Sequence, residues 1–134
     1  MTAASSTAPA SPGRDFRELL RGLIRIEHVQ GGLIVATDGL VIAAEMPAGV
    51  QIEPLSALAA TLGRELELRS PALKRGAFVV TSFDADNGLI FLGTTPIGFL
   101  VMVAAAEGRS TVRAAFRQAL ATLTRAWGGR ALPR

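Results

Sequence analysis

The strongest structural signal in the chain lies in the segment Val29-Gln30-Gly31-Gly32-Leu33-Ile34-Val35-Ala36-Thr37-Asp38-Gly39-Leu40-Val41-Ile42-Ala43. Two apolar runs flank Asp38-Gly39, a pair that favours a tight hairpin turn because both residues tolerate positive φ. The runs are apolar at consecutive positions, whereas strands with one solvated face would alternate. The segment therefore predicts two antiparallel strands, 33–36 and 40–44, in a sheet that is covered on both faces.

Three more strands are predicted in the second half of the chain, at 78–83, 89–93 and 99–103. The first two flank residues 84–88, whose Asp and Asn side chains are typical of a hairpin loop. Segment 99–103 is again apolar on both faces. We therefore expect one helix to lie on the opposite face of the sheet from the other two, or a partner to cover what the helices leave.

Three segments carry the 3.6-residue periodicity of helices packed on one side. The first has Asp15 near its N-cap, and its apolar face consists of Phe16, Leu19, Leu20, Leu23 and Ile24. The second begins at Glu53 and Pro54, and its stripe consists of Leu55, Leu58, Ala59, Leu62 and Leu66. The third begins near Arg109 or Ser110 and ends at Gly128-Gly129, with a stripe of Val112, Ala115, Phe116, Ala119, Leu120 and Leu123.

The predicted element order is α-β-β-α-β-β-β-α, an α+β domain with a five-stranded antiparallel sheet. We expect this domain to occupy residues 14–127, because 134 residues allow one domain and leave little room for a second. Residues 1–13, which are Ala, Ser, Thr, Pro and Gly after the initial Met, predict a disordered N-terminal tail. Residues 128–134 predict a shorter, flexible C-terminal tail.

Composition excludes several functional classes. The net charge is +3, and the isoelectric point near 11.0 reflects the absence of Cys and Tyr and a single Lys, so nucleic-acid binding does not follow from it. The longest nearly unbroken apolar run, 97–106, is about half of the roughly 20 residues that a membrane span needs. No secretory signal pattern is present, so we expect a cytoplasmic protein without a membrane span.

The hairpin segment 29–43 resembles the opening of Roadblock domains, small domains related to dynein light chains, whose bacterial members include the mutual-gliding GTPase-activating proteins. The resemblance continues through Leu58-Ala59-Ala60-Thr61-Leu62 and Gly88-Leu89-Ile90-Phe91, and it covers residues 14–127. Element order and the Asp38-Gly39 hairpin carry it, since no single motif is diagnostic. One departure is Glu27-His28-Val29, where members often have Pro-Gly.

The resemblance implies a homodimer in which the sheets of two copies join edge to edge and the second helices lie side by side. It also implies that this helix layer receives a small Ras-like GTPase, and by position the contacts would come from Ser56, Ala57, Ala60, Thr61, Arg64 and Glu65. Small side chains in a helix are equally common as fillers of an exposed face. The apolar strand 40–44 independently favours pairing with a second copy, because an unpaired apolar edge invites aggregation.

No catalytic, cofactor or metal site is evident in the sequence. Asp84, Asp86, Asn87 and Gly88 resemble the start of a calcium loop, but the glycine and bidentate glutamate positions hold Leu89 and Thr95, so a hairpin turn explains them. The single histidine, His28, lacks partners for a zinc site or a triad and is expected either to cap the first helix or to be exposed to solvent. Gly31-Gly32 precedes a strand, so no helix N-terminus is predicted there for phosphate.

The third helix is rich in arginine and contains no acid. Arg109, Arg113 and Arg117 recur every fourth residue and predict a basic face. Arg14, Arg17, Arg21 and Arg25 stripe the first helix, where Asp15, Glu18 and Glu27 largely offset them. The basic face is either a solvated helix surface or a docking surface for an acidic protein or anionic surface.

These observations lead to one principal hypothesis and two alternatives. The principal one is a homodimeric regulator, not itself an enzyme, that stimulates GTP hydrolysis by repositioning a Ras-like GTPase's own switch residues. The first alternative is a scaffold of the same fold that tethers a GTPase or another protein. The second is an anion-binding module that uses the arginine face of the third helix.

Overall fold

The computed structural model describes residues 12–128, and the side chains of residues 15–127. The helices are α1 (Pro12–Ile24), α2 (Ile52–Arg69) and α3 (Arg109–Leu123), and the strands are β1 (Val29–Val35), β2 (Val41–Glu45), β3 (Val80–Ala85), β4 (Gly88–Thr95) and β5 (Gly98–Ala104). Short 3₁₀ turns follow α2 and β5, and a π-helical turn, Thr124–Gly128, extends α3. The predicted element order and the α+β class are confirmed.

The five strands form one antiparallel sheet in the order β2-β1-β5-β4-β3. β1 and β5 are central, with Leu33 opposite Val101 and Ile34 opposite Leu100. This arrangement brings the two hairpins, β1–β2 and β3–β4, to opposite ends of the sheet. Within the described chain, β2 and β3 are therefore the edge strands.

The two faces of the sheet carry different helices. Along β5, Leu100 and Met102 join the core beneath α1 and α3, whereas Phe99 and Val101 join the core beneath α2. We call these the α1/α3 face and the α2 face. Because every central strand is buried on both sides, its sequence does not alternate. The prediction that one helix lies opposite the other two is confirmed.

Glycines allow two of the helices to lie close to the sheet. A Cβ on Gly63 of α2 would lie 2.5 Å from the Phe99 ring, and one on Gly93 of β4 would lie 2.6 Å from Leu120 of α3. Such distances are far shorter than van der Waals contact, so both positions leave no room for a side chain larger than the hydrogen of glycine. The contact between α2 and β5 is therefore made backbone to ring.

Several predicted details are wrong at the edges of elements. α1 begins at Pro12, inside the segment expected to be a tail, and Gly128 belongs to the π-helical turn. Residues 1–11 and 129–134 of the two predicted tails lie outside the described residues. Leu58 is 49% exposed and Ile24 is also exposed, although both were assigned to buried stripes. For Leu58 the reason is that α2 turns its smallest side chains, Ala59 and Gly63 among them, toward the sheet.

Candidate functional site: the α2 surface and the α3 arginines

The six residues predicted on α2 do not share one exposed face. Ser56 is 3% exposed and Ala60 is 2% exposed, so both are buried within the single chain. The Ser56 hydroxyl donates a hydrogen bond to the carbonyl of Glu53 at 3.0 Å, within the helix. Ser56 and Ala60 therefore leave little surface of their own for the predicted contact with a partner.

The other four residues, Ala57, Thr61, Arg64 and Glu65, are exposed. Two of them already have intramolecular partners. Arg64 donates a hydrogen bond from Nη1 to the carbonyl of Thr37, in the turn between β1 and β2. Glu65 accepts a hydrogen bond from Arg69 at 2.6 Å, one turn along the helix, and this bond raises the pKa of the Arg69 guanidinium above its ordinary value. Ala57 and Thr61 are the small side chains on the outer surface of α2.

The β1–β2 turn lies against α2, which the sequence did not predict. Asp38 caps the turn, since its Oδ1 accepts a hydrogen bond from the Leu40 amide at 3.0 Å. A Cβ on Gly39 would lie 3.9 Å from the Cβ of Ala60. Leu40 itself is 68% exposed at this turn, one residue before β2, and its carbonyl accepts a hydrogen bond from the Ala36 amide at 2.8 Å. The predicted strand 40–44 included Leu40, whereas β2 begins at Val41.

A small apolar groove, about 10 Å³ in volume, lies on the α2 face between α2 and the β3–β4 hairpin. Leu55, Leu58 and Leu62 line it from the helix, and Phe83, Ile90 and Leu92 line it from the sheet. Leu58, Phe83 and Ile90 are each partly or largely exposed in the single chain. This groove was missed from the sequence because Leu58 was assigned to the buried stripe of the second helix. It adjoins β3, one of the two edge strands.

The arginines of α3 have separate environments. Arg109 forms an ion pair with Asp84 at 2.6 Å, which joins α3 to the β3–β4 hairpin. Arg113 and Arg117 are exposed, and no ion pair to either occurs among residues 15–127. The positive charge of the predicted basic face is thus reduced at Arg109, because the carboxylate of Asp84 in β3 pairs with it. On α1, Arg21 lies 3.6 Å from Glu45.

The polar residues that were considered for chemistry have structural contacts. Asp84 is occupied by Arg109, as above, and Asp86 and Asn87 form the exposed β3–β4 turn. His28 lies beyond the end of α1 at φ 78°, and its carbonyl accepts a hydrogen bond from the Ala105 amide at 2.8 Å. This hydrogen bond connects the residue before β1 to the loop after β5. Among the described residues, no group of three or more His, Asp or Glu side chains is placed to hold a metal ion.

Solved structures with the same architecture align with nearly the whole chain. MglB of Myxococcus xanthus superposes with a TM-score of 0.81 at 12% identity, covering 94% of this chain and 96% of that one. The fold is Roadblock-like. A Roadblock/LC7 domain from Streptomyces avermitilis aligns with a TM-score of 0.65 at 22% identity, covering 82% and 92% of the two chains. The gliding protein MglB of Thermus thermophilus gives 0.70 at 15%, covering 87% and 92%.

Sequence comparison adds less than structure does. No protein-family model matches the chain. Two uncharacterized proteins of Methanocaldococcus jannaschii are each 27% identical over 89 residues, which is 66% of this chain and 78% of theirs. None of the described helices has the length and apolar character needed to cross a membrane. The resemblance to Roadblock domains and MglB-like proteins is thus confirmed at the level of fold.

Proposed function

We propose that the Roadblock-like chain acts as a homodimer that binds a small Ras-like GTPase and stimulates its GTP hydrolysis. The observation that carries this proposal is the similarity of fold to MglB over 94% of the chain. The mutual-gliding proteins that the sequence resembles are GTPase-activating proteins. In this role the chain is a regulator and supplies no catalytic group of its own.

The second copy pairs with β3 in this proposal. The sequence pointed to β2, but the apolar groove formed by Leu58, Phe83 and Ile90 adjoins β3. Pairing two β3 strands would continue the sheet, and it would bring the α2 helix of the second copy over side chains that a single chain leaves exposed. Both effects would reduce non-specific association, because free strand edges and contiguous apolar surface favour aggregation. The dimer therefore has two α2 helices side by side on one face.

The GTPase binds across these two helices. In each chain the exposed positions Ala57 and Thr61 allow another backbone to approach closely, and Leu40 offers an apolar contact beside them. The bond from Arg64 to the Thr37 carbonyl holds the hairpin that carries Leu40 against the helix. The docking surface that we propose consists of Ala57, Thr61 and Leu40, with Arg64 as a positioning residue and Glu65 at its margin.

The proposed mechanism is allosteric with respect to the GTPase. The helix layer holds the switch segments of the GTPase where its own residues align water and stabilise the γ-phosphate. Only contacts that are stronger in the transition state than in the ground state accelerate the reaction. An arginine donated in trans is not needed in this scheme.

A single-turnover GTP hydrolysis assay with the cognate GTPase tests the activity. We expect the wild-type chain to increase the hydrolysis rate and Thr61→Arg to abolish the increase, because a long cation replaces a small side chain at the centre of the surface. Ala60→Arg would be a poor test, since Ala60 is buried and the variant would misfold. Arg113→Gln on the opposite face is the matched control. Tight binding without any rate increase would contradict the regulator and favour the scaffold.

A further inference from the structure

A second surface, on the α1/α3 face, has the features of a binding cleft. The C-terminal half of α3 and the adjoining sheet enclose about 500 Å³ of open space lined by Val79, Thr94, Arg117, Leu120, Ala121, Thr124 and Arg125. Of the apolar residues that line this cleft, Val79 is 51% exposed and Leu120 is 6% exposed. Because Gly93 has no side chain, Leu120 packs closely against the sheet, and this part of the cleft is tightly packed as well as apolar.

The charge around this cleft is unbalanced. Residues 109–127 contain four arginines and no acid, and Asp84 neutralises Arg109 alone. Among residues 15–127 no carboxylate forms an ion pair with Arg117 or Arg125. Glu67 accepts a hydrogen bond from the Thr94 hydroxyl at 2.5 Å, so this acid bonds to the sheet and to neither arginine. Arg125 donates a hydrogen bond from Nη2 to the Thr122 hydroxyl at 3.4 Å, which uses one of its five N–H donors. The cleft is thus lined by two guanidinium groups that have unused donors and lie beside apolar surface.

The distance between Arg117 and Arg125 determines which ligands can contact both of them in the cleft. They are eight residues apart, Arg117 in α3 and Arg125 in the π-helical turn that extends it, which corresponds to roughly 11–12 Å along the helix axis. An extended peptide advances about 3.3 Å per residue, so acidic side chains four positions apart span the same distance. A residue midway between them would face Val79 and Leu120. Guanidinium groups bind carboxylates through charge-assisted hydrogen bonds, which suits this arrangement.

We propose that this cleft binds an extended acidic segment of a partner protein, with Arg117 and Arg125 each holding a carboxylate and Val79 and Leu120 contacting an apolar side chain between them. A recessed apolar floor favours a peptide side chain over a membrane surface, which would meet the outermost arginines first. The cleft opens on the face opposite α2, so one chain can hold this segment and a partner on α2 together. The inference does not rest on the proposed GTPase role.

Binding of a synthetic five-residue peptide tests the proposal. The probe carries glutamate at both ends, leucine at the centre and serine between, and fluorescence anisotropy with the full chain at low salt measures its affinity. We expect Arg117→Glu with Arg125→Glu to weaken binding at least about tenfold, because two charge-assisted contacts become repulsive. The matched control is Arg17→Glu with Arg25→Glu, which makes the same charge change at the same eight-residue spacing near α1. Circular dichroism confirms that both variants fold.

Each outcome decides the proposal. Loss of binding in the α3 variant alone, together with weaker binding of a probe whose leucine is replaced by serine, supports it. No measurable binding by the wild-type chain, or equal loss in both variants, overturns it, because then the cleft has no affinity or the effect is one of net charge only. Vesicles containing anionic phospholipid are the second arm. Arg117-dependent vesicle binding without peptide binding would also overturn it and assign the arginines to a membrane surface.

Discussion

At the residue scale, the smallest side chains set how closely the helices approach the sheet. Gly63 lies over the Phe99 ring, and Ala60 lies beside the β1–β2 turn. Their size therefore serves internal packing, although in the sequence the same small residues suggested a surface for a partner. Hydrophobic periodicity identifies a helix, but it does not distinguish a small buried residue from a small exposed one.

Gly63→Ala is expected to destabilise the chain by about 1–3 kcal/mol, because the added methyl group overlaps Phe99 and forces α2 away from the sheet. Gly22→Ala in α1 is the matched control, since a Cβ there has no atom within 4 Å. That control should gain roughly 0.5–1 kcal/mol from helix propensity alone. Urea unfolding followed by circular dichroism measures both. Equal effects in the two variants would mean that Gly63 does not set the approach of α2.

Arg64→Met tests the connection between α2 and the β1–β2 turn. Loss of the hydrogen bond to the Thr37 carbonyl is expected to cost about 1 kcal/mol and to speed amide hydrogen exchange in the turn, at Gly39 above all. The change keeps the aliphatic stem, so packing is largely preserved. Arg113→Gln, which removes an exposed arginine of α3 without an ion pair, should leave this exchange unchanged. Unchanged exchange in Arg64→Met would show that the turn is held by its own hydrogen bonds.

At the element scale, apolar periodicity and turn residues located all three helices and all five strands. Continuous apolar runs also indicated burial on both faces, as the division of β5 between the two cores confirms. The orientation of α2 about its axis was not predictable. Its stripe contains both Leu58 and Ala59, and only contact with Phe99 determines which of them faces the sheet. The groove beside β3 depends on that orientation and was missed for the same reason.

Trp127 extends the packing of α3 onto α1. Trp127 lies in the π-helical turn that continues α3, and its ring centroid is 5.1 Å from that of Phe16. Trp127→Ala is expected to destabilise the chain by about 1–2 kcal/mol through loss of the aromatic contact and of partly buried area. Leu73→Ala, at an exposed leucine after α2, should change stability by less than about 0.5 kcal/mol. Circular dichroism during urea unfolding compares them, and equal stabilities would contradict a bracing role for Trp127.

At the scale of the whole molecule, the single chain leaves an edge strand and an apolar groove on the same side of the sheet. We expect Leu58→Glu to convert the proposed homodimer to monomers, because a carboxylate would be buried between two copies. Leu68→Glu is the matched control on the same helix, at a leucine that is 70% exposed and outside the groove. Sedimentation velocity measures the assembly. A monomeric wild type, or monomers in both variants, would contradict dimerisation through this groove.

The GTPase-regulating role is tested most directly by nucleotide-dependent capture. Wild-type and Thr61→Arg chains are immobilised and incubated with native lysate that contains a non-hydrolysable GTP analogue or GDP, and the retained proteins are identified by mass spectrometry. We predict that the wild type retains a Ras-like GTPase mainly with the analogue and that Thr61→Arg loses it while remaining a dimer. Retention of no GTPase with either nucleotide, or equal retention by both chains, would contradict a GTPase-binding α2 surface.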